Sequence, residues 1–251
     1  MRAVGRALLP TLLVLLGAVS LAAGDARVDI AAVETAHRQN DLPALETQYK
    51  ALDREGTLGL RRRYLRAFIA WRANHVLRAK PDSASARNAW LETARVDLDA
   101  VLATDPHHVE ALVLQAAVLG ELSERSVWER LTLGRTAYEL LERAIARGPG
   151  NPRAALQRGV FRLYAPGFAG GGTDAALAEL ERAELLFKTE PPDAWPGWGR
   201  VDVAAWLGQA LVAAGRPEEA RAHYLEGLAY APPSPWIREV LLPELGPSPK
   251  P

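Results

Sequence analysis

Histidines and carboxylates are the side chains of this sequence best suited to acid–base or metal chemistry, and their spacing favours neither. The five histidines are His37, His75, His107, His108 and His223. None stands in the His-Glu-x-x-His register that sets two imidazoles on one helical face over a metal. His107 and His108 follow Asp105-Pro106. Neighbours on a helix diverge by about 100°, so this pair reads as a helix start and not as a ligand cluster. Glu218-Glu219 and the group Glu179, Glu181 and Glu184 have Arg182 and Arg221 at ion-pair spacing, the pattern of a solvated helix face. Gly170-Gly171-Gly172 precedes Thr173-Asp174, where a helix N-terminus could attract phosphate. No Gly-Lys-Ser/Thr follows, and Asp174 would repel an anion. A tight turn with Thr173 or Asp174 as N-cap is the expectation. No nucleophile elbow, P-loop or dinucleotide fingerprint is found, and the lack of cysteine excludes thiol catalysis and disulfides. The reading is therefore no catalytic set, no metal site and no cofactor.

Arg61, Arg62, Arg63, Arg66, Arg72 and Arg78 form the densest basic stretch, with Tyr64, Phe68 and Trp71 between them. Thirty basic residues balance thirty acidic ones, so the chain has no electrostatic footprint for nucleic acid. The stretch reads as a partly solvated helix with acidic partners on its neighbours, the alternative being a surface for an acidic partner.

The elements that carry these residues begin after the chain start. Arg2 and Arg6 precede the apolar run 7–19, which leads into small residues ending at Gly24. This is the layout of a secretory signal peptide over residues 1–24, too short for the roughly 20 residues of a bilayer span. An exported, periplasmic or secreted location follows, with an uncleaved anchor as the alternative. Without cysteine the protein is not a lipoprotein, and nothing later is apolar for long enough to cross a membrane.

Alanine and leucine dominate, and strand-like alternation is missing, which predicts an all-α protein. Four sets of residues share one internal spacing: Ala94, Leu98, Val101; Ala137, Leu141, Ala144; Ala176, Leu180, Ala183; and Ala220, Tyr224, Gly227. Positions i, i+4 and i+7 lie on one helical face, small at the ends for close approach and large between. Prolines follow at the same offset in three sets, Pro106, Pro149 and Pro232, and stop the helix. The expected map is five helical pairs, 28–55, 60–104, 107–147, 152–188 and 201–231, within a domain 25–245. A short last helix from Trp236 to Leu242 covers the open end, and 246–251 forms a disordered tail.

Gly208, Gly215, Ala220, Tyr224, Gly227 and Pro232 resemble the tetratricopeptide repeat. The copies are longer than that repeat's usual length of about 34 residues, the excess falling in turns and extended helices. Pro166, Phe168 and Gly170 to Gly172, with Trp198-Gly199 and Trp206 to Gln209, resemble a loop pattern of exported bacterial tetratricopeptide proteins. The resemblance implies a right-handed α-solenoid whose first helices line a concave face. Carried over residue by residue, that face includes Arg153, Leu156, Val160, Tyr164, Asp202, Ala205 and Gln209. Phe168, Trp195 and Trp198 join them as loop candidates. The two tryptophans either pack beneath the linker or flank the groove, and Phe168 and Trp198 are also candidates to fill it from within. Changing Asp202, Gln209 and Arg153 together is expected to abolish partner capture without melting the fold.

The function implied is a non-enzymatic exported scaffold for a protein or peptide partner, with self-association left open. The alternative is a solute-handling accessory of a periplasmic binding protein or transporter. An enclosed ring of aromatic and polar residues favours the second, an open groove the first.

Overall fold

In the computed structural model, residues 29–53 and 59–246 are described, and among them there are helices and turns but no strand. The signal segment 1–24 lies outside these residues, as does the tail beyond Gly246. No helix among them is long and apolar enough to cross a membrane. Ten helices stack as five antiparallel pairs: α1 (Ile30–Arg38) with α2 (Leu42–Asp53), α3 (Leu60–Arg78) with α4 (Ala84–Thr104), α5 (Val109–Leu122) with α6 (Val127–Arg147), α7 (Pro152–Tyr164) with α8 (Thr173–Thr189), and α9 (Arg200–Ala213) with α10 (Pro217–Leu228). This is the all-α solenoid that the repeats imply.

Local chemistry starts and stops these helices. Asp29 accepts a hydrogen bond from the Ala32 amide at 2.8 Å, and Asn151 accepts from Arg153 and Ala154. His108 is the N-cap of α5, its Nδ1 accepting from the Ala111 amide at 3.2 Å, so the adjacent histidines do mark a helix start. Each such cap satisfies an amide that the first turn leaves free. At α8 the expected Thr173 or Asp174 cap is not what forms. Gly172, at φ 141°, is the N-cap and supplies no side-chain bond. The loop is held by backbone instead: the Gly172 amide donates to the Arg162 carbonyl at 2.9 Å and the Gly171 amide to Pro166. A Cβ on Gly171 would lie 1.8 Å from the Ala165 carbonyl oxygen. The triple glycine is a tight ordered turn.

The repeat positions are the seams of the stack. Ala94, Leu98, Val101, Ala137, Leu141, Ala144, Ala176, Leu180, Ala183, Ala220 and Tyr224 are all buried. The glycine of the partner helix makes room for the large residue between the small ones. A Cβ on Gly208 would stand 2.1 Å from Tyr224 Cε1, and one on Gly159 would stand 2.6 Å from Leu180 Cγ. Excess repeat length sits in the 21-residue helices α4 and α6 and in the loop before α8. The C-terminal cover is a π-helical turn, Ile237–Leu241, continued by the short α11 (Leu242–Glu244). Ile237 and Leu241 are buried on the exposed end of the last pair, with Ile237 over Gly227.

Candidate functional site

The first helices of the pairs are the most buried, and side chains meet across them between elements that are not neighbours in the stack. Arg72 in the middle of α3 is 1% exposed. Its Nη1 and Nη2 donate to both Asp202 oxygens of α9 at 3.0 and 2.7 Å, and its Nε donates to Glu34 of α1 at 2.7 Å. The guanidinium also stands 4.6 Å from the centre of the Trp71 ring and 5.2 Å from that of Phe68. A planar fork that bonds bidentately and stacks on aromatics suits such a buried position.

After α8 the segment Glu190-Pro-Pro-Asp-Ala-Trp-Pro-Gly-Trp-Gly199 is not helical, and it packs against the first helices α3 and α7. Gly199, at φ 108°, has no room for a side chain, since a Cβ would lie 2.5 Å from Phe187 Cζ. That turn drives Trp198, 1% exposed, into the centre. Its indole N–H donates to the Tyr64 hydroxyl at 2.8 Å, and its ring meets Phe68 at 5.6 Å and Trp71 at 5.3 Å. Arg153 of α7, also 1% exposed, lies 5.7 Å from the Trp198 ring centre, donates to Glu190 at 2.7 Å and stands 3.5 Å from Glu110.

The electrostatics follow from this enclosure. Burial raises the Glu34 carboxyl above its ordinary value, more than Arg72 lowers it. Burial also pushes Asp202 upward, but the bidentate Arg72 outweighs it and the net direction is down. Burial lifts Tyr64 well above the tyrosine range, with Glu110 adding to it. His37 is held well below the histidine range by burial and by Arg72 and His75. Toward the C-terminal ends of α3 and α5, Glu121 collects donors: Trp71 Nε1 at 2.6 Å, Asn74 Nδ2 at 2.5 Å and Arg78 Nη2 at 3.2 Å, with His75 Nε2 at 2.8 Å. Burial alone would raise its carboxyl; His75, Arg78 and Asn74 together bring it down to about 2.

Beyond this hub the surface turns aromatic. Tyr164 packs edge-on against Trp206 at 5.9 Å, and Trp206 against Trp236 at 5.1 Å. Tyr164 is 68% exposed, Trp236 36% and nearby Phe168 93%.

The sequence-predicted residues thus divide. Leu156, Ala205, Arg153 and Trp198 are buried, and the Asp202 carboxylate is bound by Arg72. Val160 and Gln209 are half-buried, whereas Tyr164, Phe168 and Trp195 reach solvent. Trp198 is packed inside against α3, whereas Phe168 stands in solvent. Arg153 and Asp202 are each one partner of a buried ion pair, so altering them is expected to cost stability, against the expectation that they can be changed without melting the fold. Glu179, read as solvent-facing, is buried and bonded to Arg158 at 2.7 Å. The basic stretch on α3 has its expected acidic partners: Asp97 for Arg63, Glu121 and Glu124 for Arg78. Sequence reasoning missed Arg72, Glu34, Tyr64 and Glu121 as a connected set. The signal for Arg72 was its place within Phe68-Ile-Ala-Trp-Arg-Ala, a lone charge in the apolar stretch 67–73 of a helix otherwise rich in arginine at its ends.

No protein-family model matches the chain, and no curated protein does. Solved structures do. The thermophilic TPR protein TTC0263 of Thermus thermophilus superposes with a TM-score of 0.60 at 18% identity, over 86% of this chain and 96% of that one. The HusA haemophore of Porphyromonas gingivalis superposes with 0.58 at 20% identity, over 73% and 90%. The fold is that of a tetratricopeptide-type helical array.

Proposed function

We propose that this tetratricopeptide-type array is a non-enzymatic scaffold, exported to the periplasm or cell envelope, that holds a protein partner on its aromatic end. One observation carries the reading. Tyr164, Trp206 and Trp236 form a contiguous aromatic ladder, and Tyr164 and, four residues further on, Phe168 are mostly exposed. Rigid aromatics are the commonest anchors of protein interfaces. Arg78 at the end of α3 and Glu124 just after α5 are close enough to act electrostatically on Tyr164 and would supply the polar rim. Export rests on the Arg2–Gly24 segment of the sequence.

The solute-handling alternative calls for an enclosed aromatic cavity on the concave side. Trp198 and the Arg72–Asp202 pair occupy that space, which favours the scaffold. HusA is named a haemophore, and at 20% identity its likeness extends to the fold alone.

The test is affinity purification of the tagged protein from envelope extracts, wild type beside Tyr164→Ala/Phe168→Ala. Both side chains are exposed, so the variant keeps its helical content by circular dichroism. A partner held by wild type and lost by the variant supports the reading. Equal capture by both would overturn the assignment of this surface.

A further inference from the structure

We propose that Glu184, His223 and Glu226 form a binding site for a divalent cation of the zinc class on the outer seam between the last two helical pairs. Glu184 comes from α8. His223 and Glu226 come from α10, where a spacing of three residues puts them on one face. One ligand atom from each lies within 4.8 Å of the other two. His223 Nδ1 is 3.0 Å from Glu184 Oε1 and 3.9 Å from Glu226 Oε2. A tetrahedral zinc with bonds of about 2.0–2.2 Å sets its ligand atoms roughly 3.3–3.6 Å apart, a distance these two values bracket.

The imidazole itself points to a missing partner. His223 Nδ1 is shielded from solvent and makes no hydrogen bond, although a carboxylate oxygen lies beside it. A cation between them would use the nitrogen lone pair and both carboxylates at once. The two oxygens of Glu184 divide the work: Lys188 Nζ donates to Oε2 at 2.9 Å, which leaves Oε1 toward the histidine. An open pocket of about 400 Å³, lined by Glu184, Lys188, Glu226 and Tyr230 among others, adjoins the group and has room for the waters that complete a coordination shell. Mixed nitrogen and oxygen donors select a borderline transition-metal cation over magnesium or calcium, which take oxygen ligands. The consequence is a staple, since a cation held by both helices ties the last pair to the one before it. No motif in the sequence reveals it, because Glu184 stands a whole repeat away from His223.

The experiment is isothermal titration calorimetry of the full chain with zinc chloride, magnesium chloride serving as the control. One saturable zinc site is expected, with no magnesium heat and a rise in thermal midpoint when zinc is added. His223→Ala should abolish it, and Glu184→Gln should weaken it at least tenfold. His107→Ala removes an exposed histidine elsewhere and should leave it unchanged. Lys188→Met should tighten binding severalfold, because it removes the cation that competes for Glu184. Absence of a zinc site in the wild type, equal binding by His223→Ala, magnesium binding of like strength, or a Lys188→Met variant that binds no more tightly would each overturn the proposal.

Discussion

Replacing Arg72 by methionine tests the reading of the concave centre most directly. Methionine keeps most of the apolar stem, so little cavity opens and the loss isolates the charge. What remains is Glu34 and Asp202, both facing the vacated space and both previously bonded to the guanidinium at 2.7–3.0 Å. Removing one partner of a buried ion pair costs about 3–5 kcal/mol, because the other is left buried and uncompensated. An exposed pair would cost less than about 1 kcal/mol. The 1% exposure of Arg72 puts it in the first class. The pH dependence provides a second readout with a definite sign. Without Arg72, burial is the largest influence on both carboxyls and their mutual repulsion adds to it, against the weaker pull of Arg38 and His75, so both are expected to rise above their unfolded values. A group with a raised folded value contributes stability below its unfolded value and loses it as pH rises, so the deficit of the variant should be smaller at pH 5 than at pH 8. Urea denaturation followed by far-ultraviolet circular dichroism measures both quantities. The variant Glu34→Gln/Arg72→Met/Asp202→Asn, which removes the charges together, should recover much of the loss. A deficit under about 1 kcal/mol that does not vary with pH would refute the reasoning.

Trp198→Ala should destabilise by about 3–5 kcal/mol through cavity formation, with a further cost from the orphaned Tyr64 hydroxyl; a loss below about 1 kcal/mol in the same assay would mean the linker is not packed. Gly208→Ala puts a methyl group 2.1 Å from the Tyr224 ring and should cost about 1–3 kcal/mol, read as a lowered thermal midpoint. Glu121 is held at about 2 against an ordinary 4.5, a lowered folded value whose stability is present above pH 4.5 and lost as pH falls toward 2. That gap is worth on the order of 3 kcal/mol, so wild type should lose more stability than Glu121→Gln across this window, and parallel pH profiles would contradict the assignment.

Repeat seams were legible in the sequence because they obey a local rule. Ala220, Tyr224 and Gly227 share one helical face, the small residues permit close approach, and the same register recurs at Ala94, Ala137 and Ala176. The cover over Gly227 was legible for a similar reason, since a solenoid end must bury its apolar face. Pairings across the concave side were not. Arg72 and Asp202 are 130 positions apart, and each alone reads as a surface charge on a helix. Glu179 misled in the same way: its spacing to Arg182 suggests a solvated pair, whereas the stronger partner is Arg158 on the neighbouring helix. The Gly172 cap was missed because the loop satisfies its amides with backbone carbonyls, which leave no mark in side-chain identity.

The linker before α9 changes what kind of object this array is. In an open solenoid each repeat touches its neighbours alone, and stability is nearly a sum of local terms. Here the Trp198–Tyr64 hydrogen bond joins the second helical pair to the linker, the Arg72–Asp202 pair joins it to the fifth, and Arg38 of the first pair reaches the Ala231 carbonyl at 3.3 Å. Opening the first, second or fifth pair therefore exposes groups whose partners lie elsewhere in the stack, which couples the ends energetically and favours unfolding as one unit. With Trp198, Arg72 and Arg153 packed inside, a partner of the kind proposed would meet the exposed Tyr164 and Phe168 first. If the proposed scaffold function holds, binding on a surface backed by this packed centre would lose less conformational entropy than binding in a flexible groove.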